Sequence, residues 1–203
     1  MLSYLPDHGD KPLGFITAIE RDVYTSSKPI RQASDMQNVK IRTIQSPAYV
    51  ETYQALGAQP TPMNYAEVYI ALQNGVVDAA ENSPDVFVSD RHSEASKYFN
   101  LTKIHLMPAL IVMSPAHFNR LNEEQQLIVV EAADEARAHA IQFYLEGYAS
   151  GLEKAREAGV EIVEPDLESF KDATASVARR LIESTARGAE SEAALEKARA
   201  ALQ

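Results

Sequence analysis

One uninterrupted helical pattern constrains this fold more than any other feature of the sequence. Asn122, with Gln125 three residues later, has the composition of a capped helix start. The helical pattern then continues past Gly147 and Gly151 to about Ala158. At about 1.5 Å per residue this helix is about 55 Å long, which is longer than most single domains need. A helix of that length usually bridges two lobes or bends around one lobe.

The other predicted elements alternate between strands and helices. Strand patterns occupy residues 14–25, 39–44, 101–113 and 160–163, and a further short buried strand begins at Val76–Val77. Helical patterns occupy residues 46–56, 64–75, 84–99 in two pieces broken at His92–Ser93, and most of the chain after 166, with a break at Gly188. Pro108 lies inside a strand pattern and cannot donate to a ladder, so we expect a bend or a change of sheet there. The order of elements predicts an α/β fold with mostly parallel connections.

Composition limits the partners of this chain. Its 203 residues carry a formal net charge of -10, and the pI is near 5.0. This charge argues against a nucleic-acid partner, because phosphate neutralisation needs clustered Lys and Arg. An anionic small molecule is compatible with it, since a cleft can focus positive charge locally. There is no cysteine, no pair of histidines four residues apart and no nucleotide fingerprint, so we expect no metal site and no cofactor.

Residues 60–84 contain the candidate binding segment. They predict a loop, a short helix that begins at Asn64 and ends at Gly75, a buried strand, and a second helix start at Asn82–Pro84. Strand ends followed by helix starts are where α/β proteins place their ligand groups. Upstream, Arg42 lies on an otherwise apolar strand. We expect Arg42 and residues 60–84 to form two walls of one pocket.

The residue types in this pocket suit a carboxylate ligand. The guanidinium of Arg42 can supply two parallel charge-assisted hydrogen bonds, which a lysine cannot. Gln45 is placed to add a donor, Asn82 can both donate and accept, and Tyr65 would pack a flat face on the ligand. Structural alternatives are open for the main candidates: Arg42 on the solvent face of an edge strand, Tyr65 in the core, and Asn82 as a helix N-cap.

Five segments of the chain together form a more specific pattern. They are Lys40–Ile41–Arg42, Gly57 to Met63, Glu67–Val68–Tyr69, Ala71–Leu72–Gln73 and Gly75 to Asn82. In these segments the chain closely resembles the extracytoplasmic solute-binding subunits of tripartite ATP-independent periplasmic (TRAP) transporters, the DctP-type proteins. The likeness runs from about Glu20 to Asp166.

The resemblance implies a fold and a function. The fold is a periplasmic-binding-protein-like (type II-like) α/β architecture of two lobes, with the long helix bridging the lobes and an organic acid held in the cleft. By the same resemblance Arg42 holds the ligand carboxylate, Tyr65 lines the pocket and Asn82 faces the ligand. A second arginine often helps; Arg21 is the candidate, although its pattern alone is that of a surface residue. The resemblance further implies a periplasmic location for the full-length protein, delivery of the ligand to membrane permease subunits, and no catalysis.

One departure from the family pattern concerns completeness. Family members have a signal peptide and a long further segment before the region matched by Glu20, so we expect this chain to be a fragment with an incomplete first lobe. The expected division is a remnant of the first lobe and hinge at 1–18, a second lobe with the anchoring arginine at 19–106, and return segments with the bridging and C-terminal helices at 107–203. Two alternatives stay open: a binding-incompetent fragment, and an α/β enzyme acting on a carboxylate substrate.

Overall fold

The computed structural model describes residues 9–185 and 188–201, which contain one six-stranded sheet. The strands are β1 (Lys11–Thr25), β2 (Lys40–Thr43), β3 (Gln59–Pro62), β4 (Ala79–Asn82), β5 (Tyr98–Met113) and β6 (Glu161–Val163). The helices are α1 (Pro47–Ala55), α2 (Val68–Gln73), α3 (Pro84–Ser89), α4 (Pro115–Phe118), α5 (Glu123–Glu157), α6 (Leu167–Ser184) and α7 (Gly188–Ala201). None of the helices in this part of the chain combines the length and the apolar character that crossing a bilayer requires.

The sheet mixes parallel and antiparallel strands in the order β3-β2-β4-β1-β5-β6. β2 pairs in parallel with β3 and β4, and β5 pairs in parallel with β6. β1 pairs antiparallel with both β4 and β5. The predicted parallel pairings are therefore present, but the longest ladder, between β1 and β5, is antiparallel and was not expected from the order of elements.

Each face of the sheet carries its own hydrophobic cluster. The first cluster includes Val23, Ile41, Tyr53, Ala79 and Phe170. The second cluster includes Tyr24, Val68, Ala80, Phe87 and Ala155. Successive strand residues point to opposite faces. Arg42 follows Ile41, and Asn82 lies two residues after Ala80, so both side chains point to the face of the second cluster.

The segment around β4 differs from its prediction in its boundaries. The short buried strand expected to begin at Val76–Val77 is confirmed as β4, but it begins only at Ala79, because residues 76–78 connect it to the turn at Gly75 (φ 68°). The expected helix end at Gly75 is confirmed. Residues 59–62, expected to lie in a loop, form β3 and pair in parallel with β2. This pairing places β2 inside the sheet.

The region between β4 and β5 contains less helix than predicted for residues 84–99. α3 ends at Ser89, and Arg91 takes the left-handed conformation (φ 63°), which stops the helix. Only one 3-10 turn follows, at His92–Glu94. The chain then becomes extended, and β5 begins at Tyr98.

The β1–β5 ladder is irregular on both sides of Pro108. Pro108 pairs with Ala18 inside the β1–β5 ladder, so no change of sheet occurs there. The register shifts at three places: between Pro12 and Gly14, between Phe15 and Thr17 opposite residues 109–110, and where β1 residues 21–23 meet β5 residues 100–105. Lys103 lies in the last of these bulges with a φ of 48°, and its backbone N–H donates to a β1 carboxylate at 2.9 Å.

The long helix is confirmed as α5. At its start, the N–H of Gln125 donates to Oδ1 of Asn122 at 2.9 Å, and the N–H of Asn122 donates to Oε1 of Gln125 at 3.1 Å, which is the capping box that the sequence predicts. α5 packs against α3 and β1. After α6, the predicted break falls at Gly188, and residues 186–187 lie outside the described residues.

The division of the chain into residues 1–18, 19–106 and 107–203 stays a prediction. β1 runs through the first of these boundaries and β5 runs through the second. Residues 1–8 lie outside the described part of the chain. The β1–β5 ladder therefore connects the predicted parts without interruption.

Candidate functional site

Arg42 is a buried cation without a carboxylate partner in the described chain. It lies on β2 between β3 and β4, and only 3% of its surface is exposed. Its Nε and Nη2 atoms donate to the carbonyl oxygen of Met63 at 3.3 and 3.0 Å, and none of the ion pairs between described residues includes it. Burial lowers the pKa of Arg42, but an arginine stays charged in proteins. The alternative of a solvent-exposed edge position is therefore wrong.

Tyr65 and Asn82 meet beside this guanidinium. Cζ of Arg42 lies 5.5 Å from the centroid of the Tyr65 ring, and Nδ2 of Asn82 donates to the Tyr65 hydroxyl at 3.3 Å. That hydroxyl donates in turn to the carboxylate of Asp90, and burial, followed by this carboxylate, raises the pKa of Tyr65. Tyr65 is 40% exposed, so it is not a core residue. The structure thus brings three of the predicted site residues together.

Asn82 is the last residue of β4 and not the cap of the next helix. Its Oδ1 accepts a hydrogen bond from the N–H of Ser83 at 3.0 Å, and Ser83 itself holds the N-cap position of α3. The side chain is therefore fixed by the Ser83 backbone on one side and by Tyr65 on the other. The N-cap alternative for Asn82 is wrong.

Arg21 is buried on the opposite face of the sheet. It is 6% exposed, and its Nε and Nη2 atoms donate to the carboxylate of Glu81, with Nη2 also donating to the Glu81 carbonyl oxygen at 3.0 Å. Val23 pairs with Glu81 across the sheet, so alternation places Arg21, Val23 and Glu81 on the first cluster's face. Burial alone would lower the pKa of Arg21, but the hydrogen bond and charge of Glu81 raise it. The surface position that its pattern favoured is wrong.

Gln45 lies exposed in the short connection between β2 and α1. Its side chain makes no hydrogen bond with the described residues, so the amide has both donors and its acceptor free for other partners. The structure places it three residues after Arg42 but does not join it to the cluster of Arg42, Tyr65 and Asn82.

Two polar groups behind Tyr65 escaped the sequence analysis. Nδ1 of His92 lies 2.7 Å from the hydroxyl of Tyr24, and the His92 ring centroid lies 5.8 Å from that of Tyr65. Burial lowers the pKa of His92, which favours the neutral imidazole. The sequence marked His92 only as a helix break, because its partner Tyr24 is distant along the chain. Asp90 was missed for the same reason.

A second histidine lies beside the buried ion pair of Arg21. The ring of His105 stacks on Tyr49 with the centroids 3.8 Å apart and meets Tyr53 edge-on at 5.5 Å. Burial, and then the charge of Arg21, lower the pKa of His105 to about 4. Both ring nitrogens, the Tyr53 hydroxyl and the Thr43 hydroxyl are buried without a hydrogen-bond partner among the described residues. This face of the sheet is therefore polar within its core, next to Glu81.

Glu81 is the residue whose importance the sequence came closest to revealing. It lies in a buried strand, and a carboxylate is almost never fully buried unless it is paired. A buried glutamate therefore indicates a cation on a neighbouring strand, and in the structure this cation is Arg21. No group of three or more His, Asp or Glu side chains in the described chain is arranged to hold a metal ion.

The fold and the site together define a class of protein. The α/β sheet carries a buried guanidinium that has no carboxylate partner within the described residues. A phenol and an amide lie beside this guanidinium. Such a set of side chains is typical of a receptor for an anionic small molecule. The chain belongs to the bacterial extracellular solute-binding proteins of family 7, the DctP family, whose model matches residues 1–185. The family consists of solute-binding proteins rather than enzymes, and this membership confirms the resemblance to TRAP transporter subunits.

Named relatives are identical to this chain at about a third of the aligned positions. The 2,3-diketo-L-gulonate-binding periplasmic protein YiaO of Escherichia coli K12 is 34% identical over 160 residues, which cover 78% of this chain and 49% of that protein. The ectoine-binding periplasmic protein TeaA of Halomonas elongata is 33% identical over 169 residues, covering 80% of this chain and 49% of TeaA. The chain thus spans about half the length of these relatives.

Solved structures match the fold over nearly the whole chain. A TRAP periplasmic solute-binding protein of Pseudomonas putida F1 with bound D-glucuronate has a TM-score of 0.86 and 33% identity, covering 97% of this chain and 62% of that one. A Sulfitobacter protein of the same kind with bound β-D-galacturonate has a TM-score of 0.88 and 32% identity, covering 93% of this chain and 63% of that one. The two-lobe fold of these neighbours is therefore present here in part.

Proposed function

We propose that this chain is the ligand-anchoring part of a TRAP transporter solute receptor, and that Arg42 binds the carboxylate of an organic acid. The observation that carries the proposal is the burial of this guanidinium without a carboxylate partner among the described residues. Removing a charge from water is costly unless it is paired, so a site of this kind is matched to an incoming anion. Within the described chain Nη1 of Arg42 makes no hydrogen bond, which leaves donors for a carboxylate.

The neighbours of Arg42 favour a hydroxylated acid as the ligand. The Asn82 amide nitrogen, 3.3 Å from the Tyr65 hydroxyl, keeps a second N–H that can donate to a sugar hydroxyl, and the Asn82 carbonyl oxygen keeps a lone pair that can accept from one. The exposed Tyr65 ring offers a flat apolar face on which a sugar ring can pack. Solved relatives are seen with glucuronate and galacturonate. These features support a sugar acid, such as a uronate, as the ligand class.

Arg21 and Gln45 are proposed as secondary contributors to ligand binding. Arg21 lies on the other face of the sheet and its charge is compensated by Glu81, so it would contribute through its positive charge, which acts on Arg42 and Tyr65, rather than through the main ion pair. Gln45 is exposed near the start of α1, where a free amide can reach an oxygen of the ligand. We expect the loss of either side chain to weaken binding less than the loss of Arg42.

The partners and location follow from the family. Proteins of this kind deliver their ligand to membrane permease subunits, and relatives such as YiaO are periplasmic. We propose the same partner and compartment for the full-length protein. The lobe division proposed from the sequence puts Arg42, Tyr65 and Asn82 together on residues 19–106, so closure of the second jaw over them would complete the site.

Calorimetric titration with D-glucuronate, D-galacturonate and a panel of other acids tests the proposal. Replacing Arg42 with alanine removes two charge-assisted hydrogen bonds, each of roughly 1.5–3 kcal/mol, so we expect affinity to fall by about 100-fold or more. Arg42→Lys keeps the positive charge but loses the two parallel donors of the guanidinium, so it should retain part of the affinity. Arg31→Ala is the matched control, because Arg31 is an exposed arginine paired with Glu161 at 3.1 Å. If Arg42→Ala binds these acids with the same affinity as the wild type, Arg42 is not the residue that binds the carboxylate.

A second candidate function is that of a binding-incompetent part of the receptor. This alternative is favoured by the length of the chain, which spans only 62–63% of the length of the solved neighbours. A wild-type chain that binds none of the acids would support this alternative. Turnover of any bound acid would instead revive the interpretation as an enzyme.

A further inference from the structure

α5 crosses the start of α3 at very close range. A Cβ atom built on Gly151 would lie 2.4 Å from the backbone nitrogen of Asp85 and 2.5 Å from the carbonyl carbon of Pro84. These distances are far below van der Waals contact, and the atoms concerned are backbone atoms. A side chain at position 151 could therefore be accommodated only if the backbone of residues 84–85 moved.

Gly147, one turn earlier on α5, does not share this constraint. A Cβ atom on Gly147 would meet only the Asp85 side chain, with the nearest atom at 3.8 Å, which is an ordinary contact. Two glycines of one helix, four residues apart, thus differ in whether glycine is required. This difference gives a matched pair of positions for an experiment.

The backbone that Gly151 touches is joined directly to the ligand site. Only Ser83 separates Asn82 from Pro84, and the N–H of Ser83 donates to the Asn82 side chain at 3.0 Å. The carbonyl oxygen of Ser83 accepts the N–H of Phe87 at 3.0 Å, inside the first turn of α3. A displacement of Pro84 would therefore rotate or shift the Asn82 amide.

α5 also reaches Asn82 from the other side, through β1. Asp22 is the cross-strand partner of Asn82, and the hydroxyl of Tyr148 donates to Oδ2 of Asp22 at 2.6 Å. Tyr148 lies three residues before Gly151 and so shares its helix face. α5 thus contacts the backbone shortly after Asn82 and, through Tyr148, the residue paired with Asn82 on β1.

We propose that Gly151 is a positioning residue for ligand binding: it lets α5 approach the start of α3 closely enough to fix the Asn82 amide beside Tyr65 and Arg42. The role of Asn82 toward the ligand rests on the proposed function, whereas the contact between Gly151 and residues 84–85 does not. Gly151 touches no ligand itself. It acts through the backbone of Pro84 and Asp85.

The test compares Gly151→Ala with Gly147→Ala by NMR and by titration with D-glucuronate. In Gly151→Ala we expect the side-chain amide signals of Asn82 and the ring signals of Tyr65 to shift, and D-glucuronate affinity to fall at least tenfold. In Gly147→Ala we expect both sets of signals to stay in place and affinity to change less than twofold. Gly151→Ala could instead lower the melting temperature while the Asn82 signals and the D-glucuronate affinity stay unchanged. That result would show that Gly151 has a merely structural role and would overturn the proposal.

Measurements on the wild-type chain keep the inference testable if Gly151→Ala does not fold. A nuclear Overhauser contact between the Gly151 α-protons and the Asp85 amide proton is expected, and its absence would overturn the proposal. Added D-glucuronate should shift the Gly151 amide signal and leave that of Gly147 in place; equal shifts or no shift on binding would contradict the coupling. The wild-type chain could bind no D-glucuronate and still show the Overhauser contact, with the Asn82 signals shifted in Gly151→Ala. This result would count against a sugar acid as the ligand and support the role of Gly151 in positioning Asn82.

Discussion

The two ends of the β1–β5 ladder differ in how well their apolar surface is covered. Residues 21–105 form a covered region, in which the sheet carries a hydrophobic cluster on each face. Residues 11–20, 106–113 and α5 as far as Leu145 form an open region. No residue of 11–20 is fully buried, and in the same region Phe143 is 77% exposed and Leu145 is 62% exposed. The candidate ligand groups all lie in the covered region.

This difference shows where the stabilising free energy of the described chain is concentrated. The buried members of both clusters come from residues 23–99 and 155–170. Hydrophobic stabilisation follows the apolar area removed from water, so most of it supports the strands that carry Arg42 and Asn82. The anchor side of the pocket therefore has a core of its own, and the open region adds long strands and a helix with few apolar partners.

The largest expected effect contrasts a phenylalanine from each region. Phe87 is fully buried, with its ring centroid 4.7 Å from that of Tyr24 and 5.0 Å from that of Phe99. Phe87→Ala should lower the free energy of unfolding by about 3–5 kcal/mol, because it removes buried area and leaves a cavity. Phe143→Ala should change it by less than about 0.5 kcal/mol. Urea denaturation measures both, and similar losses for the two variants would mean that the open region is packed after all.

A smaller effect is expected where the regions meet, at the fully buried Asp22 carboxyl. Burial raises the pKa of Asp22 from 3.8 to about 6, against the opposing hydrogen bond from Tyr148. The folded protein therefore holds this proton more tightly than the unfolded chain between about pH 4 and pH 6. The resulting stabilisation is complete below the lower value and is lost as pH rises through the upper one.

Asp22→Asn removes this titration while keeping a similar shape. Relative to the variant, we expect the wild type to lose about 2 kcal/mol of unfolding free energy between pH 4 and pH 6, out of about 3 kcal/mol over the whole titration, from 1.36 kcal/mol per pH unit of displacement. Asp134→Asn, which replaces an exposed carboxylate on α5, should show no such difference. Parallel stability curves for the wild type and Asp22→Asn would show that the carboxyl titrates normally.

The same contrast explains which features could be predicted from the sequence. The capping box and periodicity of α5 are local, so its start at Asn122 and its length were predictable. The burial of Arg42 was not predictable from pattern, because it depends on β3, whose sequence Gln59–Pro62 contains two prolines and resembles a loop. Pairing with that segment turns β2 from an edge strand into an interior one.

The ion pair of Arg21 escaped prediction for a related reason. Its partner Glu81 lies 60 residues away in sequence, and nothing local indicates that the two strands are neighbours. The antiparallel β1–β5 ladder was equally hidden, since alternation predicts a strand but not its partner. The resemblance to a known family supplied Arg42, Tyr65 and Asn82 as one site, and the structure places these three together while leaving Gln45 apart.

The smallest expected effect lies in the bulge that joins the regions. Lys103 has a φ of 48°, which costs an L-residue roughly 1–2 kcal/mol, and its Nζ makes only an exposed contact of 3.6 Å with Glu20. Lys103→Gly relieves the strain but loosens the unfolded chain, so we expect a net gain of about 0.5–1 kcal/mol in unfolding free energy. Lys103→Ala, which loses the same contact without relieving the strain, should gain nothing. The Lys103 N–H donates to Asp22 at 2.9 Å, which ties the bulge to the covered region. A gain in stability for Lys103→Gly would therefore show that this contact holds the bulge in place against a local backbone cost. A loss of stability would mean that the ion pair with Glu20 outweighs the backbone strain.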